Sequence, residues 1–198
     1  MSPTMLERVA DRIVSHPAVY RLVQNLAGQA KVAARLRSAL AEVGPGARIL
    51  DVGSAEGGFA ARLGIDPVFV DLDPRPLAAL LRRRQGSRAA AADAAALPFP
   101  DGAFDVSLCV AVTHHLDDSQ LELAVADLAR VTRRHLVFLD ALRNDGRALS
   151  RWMWKLDRGR YPRTREELRT ALNRRFTLSP AREFTVYHQY ALWVASPR

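Results

Sequence analysis

Between residues 48 and 142 the sequence alternates short apolar runs with segments of helical periodicity. The runs at 48–52, 68–70, 104–112 and 135–139 have the length of single strands. The run at 104–112 is apolar enough for a strand buried on both faces of a parallel sheet. Strands that alternate with helices predict a parallel sheet with right-handed crossovers.

Turn and capping signals predict the boundaries of the remaining elements. Apolar residues at helical spacing predict two helices over residues 5–42, separated at His16-Pro17 because proline disfavours the helical conformation of the residue before it. Asp73-Pro74 is predicted to begin a helix that runs to about Gln85. Capping boxes are predicted at 119–122 and 164–167, the second beginning a helix through Asn173. Extended segments at 176–184 and 187–195 predict a hairpin with one antiparallel strand, whereas residues 89–96 stand out only by alanine enrichment.

Length, cysteine content and the first residues limit the class of protein. A chain of 198 residues is long enough for one well-buried α/β domain. Cys109 is the only cysteine, which excludes an internal disulfide and a cysteine-built zinc site. Glu7 and Arg8 lie where a secretory signal needs an apolar core, so no export signal and a cytoplasmic location are expected. No apolar run reaches the roughly 18 residues of a membrane span.

The positive charge leaves two interpretations open. The formal net charge is +8, and almost all of the positive charge is arginine because Lys31 and Lys155 are the only lysines. The arginines are scattered, which favours a solvated surface, but an anionic partner such as nucleic acid, phospholipid or an acidic substrate stays possible.

The segment from Asp51 to Phe59 suggests a ligand site. A strand ends at Asp51, and the small-residue turn Gly53-Ser54-Ala55-Glu56-Gly57 leads into a helix. Glycine permits close approach of a ligand to the backbone, and a helix N-terminus supplies unpaired N–H groups. The next strand ends at Asp71, where a carboxylate can accept hydrogen bonds from ribose hydroxyls. Ala55 and Glu56 would crowd and repel a pyrophosphate, so a dinucleotide dehydrogenase is disfavoured.

With these motifs, the stretch from Arg48 to Leu142 resembles a class I S-adenosylmethionine-dependent methyltransferase of the small-molecule, ubiquinone/menaquinone-biosynthesis (type 11) group. The family's Gly-x-Gly-x-Gly appears as Gly53, Ala55 and Gly57. The run at 97–105 resembles the stretch before the family's fourth strand, and residues 109–116 resemble the segment beside the methionine moiety. An acidic residue frequent in that segment is replaced by Ala111.

The resemblance implies the fold, the cofactor and its contacts. The fold would be α/β and Rossmann-like, with a mostly parallel seven-stranded sheet, a C-terminal antiparallel hairpin strand and N-terminal cap helices. One domain would cover residues 1–198, with cap helices at 1–43, the cofactor-binding core at 48–142 and an acceptor-side segment with the terminal hairpin at 143–198. The cofactor would be S-adenosyl-L-methionine, released as S-adenosyl-L-homocysteine. Its contacts would be Asp51, Gly53, Ser54, Ala55, Gly57, Asp71, Leu72, Asp93, Ala94, Cys109, Val110 and His115.

Two histidines after the fourth strand are the candidate catalytic residues. His114 and His115 could supply a general base near neutral pH, although His115 could instead close the cofactor pocket. Cys109 is expected to be a buried strand residue rather than a nucleophile. No metal site is expected, because no carboxylate or cysteine cluster completes a ligand set. Trp152, Trp154 and Tyr161 could form an aromatic lid or could simply pack.

The expected function is methyl transfer to oxygen, nitrogen or carbon of a small-molecule acceptor by in-line displacement. An RNA or protein methyltransferase and a non-catalytic nucleoside-binding module remain as alternatives. The acceptor and the oligomeric state are not determined by the sequence.

Overall fold

The computed structural model describes residues 28–44, 46–144, 146, 154, 160–186 and 188–198. The first predicted helix and most of the aromatic segment at 151–159 lie outside these residues. The helices are α1 (Gln29–Ala41), α2 (Gly58–Leu63), α3 (Pro74–Arg83), α4 (Asp118–Val131) and α5 (Arg165–Asn173). The strands are β1 (Ile49–Val52), β2 (Val68–Asp71), β3 (Arg88–Ala91), β4 (Phe104–Val110), β5 (Thr132–Leu142), β6 (Phe176–Leu178), β7 (Arg182–Thr185) and β8 (Gln189–Pro197).

Within the described residues the strands form one mixed sheet in the order β3-β2-β1-β4-β5-β8-β6, and β7 also pairs with β8. The first five strands of this order are parallel, whereas β8 runs antiparallel to β5, β6 and β7. This confirms the predicted Rossmann-like sheet with its antiparallel hairpin strand. The predicted extended segment at 176–184 is interrupted at 179–181. It therefore forms two short strands, β6 and β7, and both pair with β8.

Several element boundaries differ from the sequence prediction. The predicted capping box at 119–122 is wrong: α4 begins two residues earlier, with Asp117 as N-cap and the Gln120 side chain returning to the N-cap backbone. The predicted strand at 135–139 extends over Thr132–Leu142. The alanine-rich stretch contains β3, which its weak apolar pattern did not reveal. The caps at Asp73 and Thr164 are confirmed, since each side chain accepts a backbone N–H of the following helix.

The core lies on both faces of the sheet. Alternate residues of β4 point to opposite sides, so Val106 and Leu108 pack with Val32 and Leu36 of α1. On the other face, Cys109 belongs to the cluster that includes residues of α4 and α5. With both faces covered, the edge formed by the carboxyl ends of the parallel strands is where a ligand can enter. The strand order reverses between β1 and β4, and such a switch point is the usual ligand crevice of an open α/β sheet.

None of the described helices combines the length and apolarity needed to cross a membrane.

Candidate active site

The turn after β1 wraps closely around the end of β2. The backbone N–H groups of Gly53 and Ser54 both donate to the carbonyl of Val70, at 2.8 and 3.0 Å, and Gly57 N–H donates to the carbonyl of Ser54 at 2.8 Å. Gly53 and Gly57 have φ angles of 71° and 69°, in the left-handed region that favours glycine. The turn is therefore fixed by backbone bonds and leaves a small-residue surface at the switch point.

Ala55 occupies the middle of this turn with a φ of 46°. A non-glycine residue rarely adopts this conformation, and it is held because Ala55 N–H donates to Asp71 Oδ2 at 2.8 Å. Ala55 therefore takes a left-handed conformation at the middle position of the Gly53-x-Ala55-x-Gly57 turn.

Two carboxylates lie at the ends of the neighbouring strands β1 and β2. Asp51 is buried, with 5% of its surface exposed. Burial, together with the negative charge of Asp71, raises the pKa of Asp51 to about 7. Two neighbouring carboxylates repel each other when both are ionised. A nearby positive charge reduces this repulsion, so the position suits a cationic ligand.

The adjoining surface can accommodate the adenosine half of such a ligand. Leu72 is 71% exposed, which is unusual for a large apolar side chain and leaves its face available for a base. Residues 71–75 line an open cavity of about 510 Å³. Asp93 follows β3 and accepts the N–H of Ala95 with Oδ1, at 2.9 Å. Ala94 lies in the same turn, so both predicted adenine contacts lie at the same sheet edge as Asp71.

Ser54 carries a further indication of a ligand. Its Oγ is buried without a hydrogen-bond partner among the described residues, and the whole residue is 9% exposed. A buried hydroxyl without a partner is uncommon in a native protein and marks a position where a bound polar group can complete the bonding.

On the β4 side of the crevice, residues Thr113–His115 form a short 3₁₀ helix. Ala111 precedes it with a left-handed φ of 57°, and this sharp turn directs the chain over the strand ends. A Cβ on Gly53 would overlap the side chain of Val112, so the two loops are in close contact. The structure therefore brings the predicted donor turn and the predicted catalytic histidines together.

Asp140, near the carboxyl end of β5, holds His114 in place. Asp140 Oδ1 lies 2.7 Å from His114 Nδ1 and accepts the N–H of Ala141 at 2.8 Å. Asp140 Oδ2 accepts the N–H and the hydroxyl of Thr113, at 2.8 and 2.5 Å. Burial opposes ionisation, but the His114 charge and the hydrogen bonds outweigh it and hold the pKa of Asp140 below its ordinary value.

Sequence reasoning did not identify Asp140. The signal was present, because Asp140 directly follows the run predicted as the 135–139 strand, as Asp71 follows the 68–70 run. An acid at this position carries no family motif that would draw attention to it.

A group of rings adjoins His114. The ring centroids of His114 and His115 are 4.2 Å apart, and the Trp154 ring lies 5.6 Å from that of His114 in an edge-on arrangement. His188 lies 4.4 Å from Trp154. His114 is buried whereas His115 is exposed, so the two predicted catalytic histidines have different surroundings.

Residues 160–163 hold the histidine loop by hydrogen bonds. The buried guanidinium of Arg163 donates to the carbonyls of Thr113 and Leu116, at 2.7 and 2.8 Å, and pairs with Asp118. Tyr161 N–H donates to the carbonyl of His114 at 3.0 Å. Arg163 therefore supports the histidine loop from within. A larger cavity of about 890 Å³ lies between α4, α5 and residues 160–163, and none of the predicted cofactor contacts lines it.

Cys109 and Val110 at the end of β4 are buried, with 2% and 7% of their surface exposed. Burial, and then the charges of Asp140 and Asp51, raise the pKa of the Cys109 thiol far above its ordinary value. A thiol held protonated in this way is not a nucleophile. Among the described residues, no group of three or more histidine, cysteine, aspartate or glutamate side chains could hold a metal ion.

Known proteins are similar to this chain in sequence over part of its length and in fold. The family model described as a methyltransferase domain matches residues 50–138. An uncharacterized methyltransferase of Mycobacterium sp. (strain JLS) is 41% identical over 93 residues, which are 45% of this chain and 37% of that protein. The chain therefore matches little more than a third of the length of this curated relative.

Solved structures extend the likeness to nearly the whole chain. The magnesium protoporphyrin IX methyltransferase of Synechocystis PCC 6803, with bound S-adenosyl-homocysteine (SAH), has a TM-score of 0.71 at 17% identity and covers 96% of this chain and 99% of its own. The N-methyltransferase NodS of Bradyrhizobium japonicum WM9, in complex with SAH, has a TM-score of 0.70 at 20% identity and covers 96% and 97%.

Residues 50–138 thus match the methyltransferase domain family in sequence, and the chain shares the fold of the solved methyltransferases. The two solved neighbours hold SAH, the demethylated product of S-adenosylmethionine. The residues present fit this methyltransferase cofactor: the turn is free of Cβ atoms at Gly53 and Gly57, the hydroxyl of Ser54 lacks a partner, and the acidic pair suits a sulfonium cation.

The raised pKa of Asp51 predicts that donor binding depends on pH. Below about pH 7 Asp51 is protonated in the ligand-free protein, and a cation must displace that proton, so affinity falls as the pH drops. Below the pKa we expect a loss approaching about tenfold per pH unit, and a plateau above it. Titration calorimetry at pH 6 and pH 8, in buffers of different ionisation enthalpy, measures both affinity and proton release.

Asp51→Asn serves as the comparison, because its side chain does not titrate and its affinity should vary little with pH. Donor affinity that is equal at pH 6 and pH 8 in the unsubstituted protein would contradict this role of Asp51. The same shift implies that the ligand-free fold loses stability as the pH rises from about 4 to about 7, because the folded state holds the proton more tightly.

Proposed function

We propose that this protein transfers the methyl group of S-adenosylmethionine to oxygen, nitrogen or carbon of a small-molecule acceptor. The observation that carries the proposal is the contact between the donor turn at Gly53 and the loop that bears His114 and His115. The donor turn and two histidines that can accept a proton thus share one sheet edge. The sulfonium supplies an electrophilic methyl group and leaves as a neutral thioether.

The protein's contribution would be mainly alignment. In this proposal Asp71 holds the ribose hydroxyls, Leu72 packs against the adenine and Asp93 accepts a hydrogen bond from its amino group. Asp51 faces the positive end of the donor. Proximity and orientation alone can lower a barrier by roughly 7–11 kcal/mol, so no strong acid is needed. His115, which is exposed beside the buried His114, would border both the donor and the acceptor.

Several exposed arginines lie far from the candidate site. Arginines at the starts of β3, β5 and β6 and at the end of β8 lie at the amino edge of the sheet, opposite the carboxyl edge where the donor would bind. The exposed ones are Arg88, Arg133, Arg134, Arg175 and Arg198. A polynucleotide bound there would not reach the reacting methyl group. Strong salt dependence of acceptor binding would instead favour a nucleic-acid substrate.

The location and the acceptor-side role of residues 143–198 stay predictions. A reducing cytoplasm suits the free thiol of Cys109, which has no cysteine partner in the sequence.

The test is a labelled transfer. We expect the purified protein, given donor with a trideuterated methyl group and a small-molecule extract of its source organism, to form a product that carries the label. The macromolecular fraction of the same cells, which retains RNA and protein but not small molecules, is the control. Label in RNA or protein would contradict a small-molecule acceptor. Donor binding without any labelled product would favour the non-catalytic alternative.

A further inference from the structure

The cavity of about 890 Å³ beside α4 and α5 has the size of a ligand site. Small-molecule pockets have volumes of roughly 300–1,000 Å³. Part of the wall is apolar, because Leu121 and Val125 of α4 and Ala171 of α5 line it. Among the residues that line it, none is a donor contact expected from the sequence. We call this cavity the α4–α5 groove and treat it as separate from the donor crevice.

The α4–α5 groove follows helix α5 across the sheet. Residues 160–163 bond the histidine loop at the carboxyl edge of the sheet. From there α5 leads into β6, which begins at the amino edge because β5 and β6 are both antiparallel to β8. Arg160 precedes α5, Arg175 follows it, and both line the groove. The helix between them has nine residues, a length of about 13 Å, so a ligand that contacts both arginines must be elongated.

The carboxylates that line the groove are already paired with arginines. The pairs are Asp118–Arg163 at 2.8 Å, Glu122–Arg174 at 2.7 Å, Glu167–Arg143 at 3.2 Å, and Glu166 with Arg165 and Arg169 at 2.9 and 2.8 Å. These four acids are the acidic residues of the described lining. The lining therefore presents no unpaired carboxylate to a cationic ligand.

Arg160 and Arg175 differ from the arginines in these pairs. Both are exposed, and within the described part of the chain neither guanidinium forms a hydrogen bond or an ion pair. Each end of the groove thus has a positive charge without a negative partner. A cleft with an excess of one charge concentrates ligands of the opposite charge, so the groove favours an anion.

We propose that the α4–α5 groove binds an elongated amphipathic anion, with an apolar body and an acidic group at each end. The acidic groups pair with Arg160 and Arg175, and the apolar body covers Leu121, Val125 and Ala171. A guanidinium suits this role because it can donate two parallel hydrogen bonds to a carboxylate or a phosphate. The inference concerns binding alone and does not rest on the proposed methyl transfer.

Dodecanedioate, an unbranched chain with a carboxylate at each end, is the probe. We expect titration calorimetry on the whole chain to show saturable binding of one dodecanedioate per protein. Succinate lacks the long apolar chain and 1,12-dodecanediol lacks the charges, so each should bind about tenfold more weakly or worse. The affinity for dodecanedioate should fall as salt is added, because salt screens exposed charges.

Substitution of the two arginines tests the placement of the probe. Arg160→Gln and Arg175→Gln should each weaken dodecanedioate binding by about fivefold, and the double variant by about twenty-five-fold, because each removes one exposed ion pair. Arg134→Gln is the matched control, since Arg134 is exposed on β5 and does not line the groove. It removes the same charge from the protein and should leave the affinity unchanged.

The outcomes separate a second ligand site from other uses of the groove. Equal affinity in the unsubstituted protein and in the Arg160→Gln and Arg175→Gln variants would overturn the proposal. Displacement of dodecanedioate by S-adenosyl-homocysteine would also overturn it, because the probe would then occupy the donor crevice. A dimer in sedimentation experiments that dissociates in the double variant, without any binding of the probe, would assign the groove to a contact between two copies instead. Binding that persists with S-adenosyl-homocysteine and weakens in both variants supports the site, whether or not methyl transfer is observed.

Discussion

Gly53→Ala is expected to cost about 3 kcal/mol of folding free energy and to abolish donor binding. An alanine at this position would have to adopt the left-handed φ of 71°, which costs roughly 1–2 kcal/mol. It would also overlap the side chain of Val112, and overpacking of this kind costs typically 1–3 kcal/mol. For a chain of this length the melting temperature should fall by about 6–12 °C.

Gly64→Ala is the matched control for this substitution. Gly64 has the same φ of 71° and ends helix α2, but a Cβ there would meet no atom within 4 Å. It should therefore lose only the conformational part, about 1 kcal/mol, and keep its donor affinity. Thermal unfolding with and without S-adenosyl-homocysteine measures both effects. Equal losses in the two variants would show that the contact between Gly53 and Val112 has no energetic weight.

Asp71→Ala is expected to weaken donor binding by about a hundredfold or more. Two hydrogen bonds from ribose hydroxyls to a carboxylate are worth about 1.5–3 kcal/mol each. The substitution also frees the N–H groups of Ala55 and Asp73, which the carboxylate now accepts at 2.8 and 3.0 Å. The stabilisation of the fold by S-adenosylmethionine, which follows from mass action, should disappear with the affinity.

Asp66→Ala is the control for Asp71→Ala. Asp66 is an acid on the loop before β2, but it bonds Ser87 and Arg84 away from the crevice. Its removal should leave the ligand-induced rise in melting temperature intact. Asp71→Asn, which keeps one accepting oxygen, should fall between Asp71→Ala and the unsubstituted protein. A ligand-induced shift of full size in Asp71→Ala would remove Asp71 from the ribose site.

The sequence predicted local structure correctly where a residue type at a given position has a single structural effect. Asp73 before proline and Thr164 before Glu167 predicted two helix starts that the structure confirms. The apolar run of β4 predicted a strand buried along its whole length. Near Asp117 two overlapping capping patterns compete, and the one completed by Gln120 is the one that forms. Local pattern does not decide between such neighbours.

Long-range contacts explain what sequence reasoning missed. The role of Asp140 depends on its contact with His114, which is 26 residues earlier in the sequence. Arg163 bonds the carbonyl of Thr113, which is 50 residues away. Neither pairing has a fixed spacing, because it arises from strand order rather than from a motif. The short strand β3 carries few large apolar residues and is stabilised by its place beside β2, which only the assembled sheet supplies.

The proximity of Asp51 and Asp71 bears on how a reaction cycle would end. In the proposed binding mode Asp51 faces the positive end of the donor, and that charge would offset the repulsion between Asp51 and Asp71. After methyl transfer the product carries one positive charge fewer, and this compensation would be lost. Asp51 would then regain a proton, and the affinity of the site for the product would be lower than for the donor. The electrostatics of the pocket would thus favour product release without a conformational change.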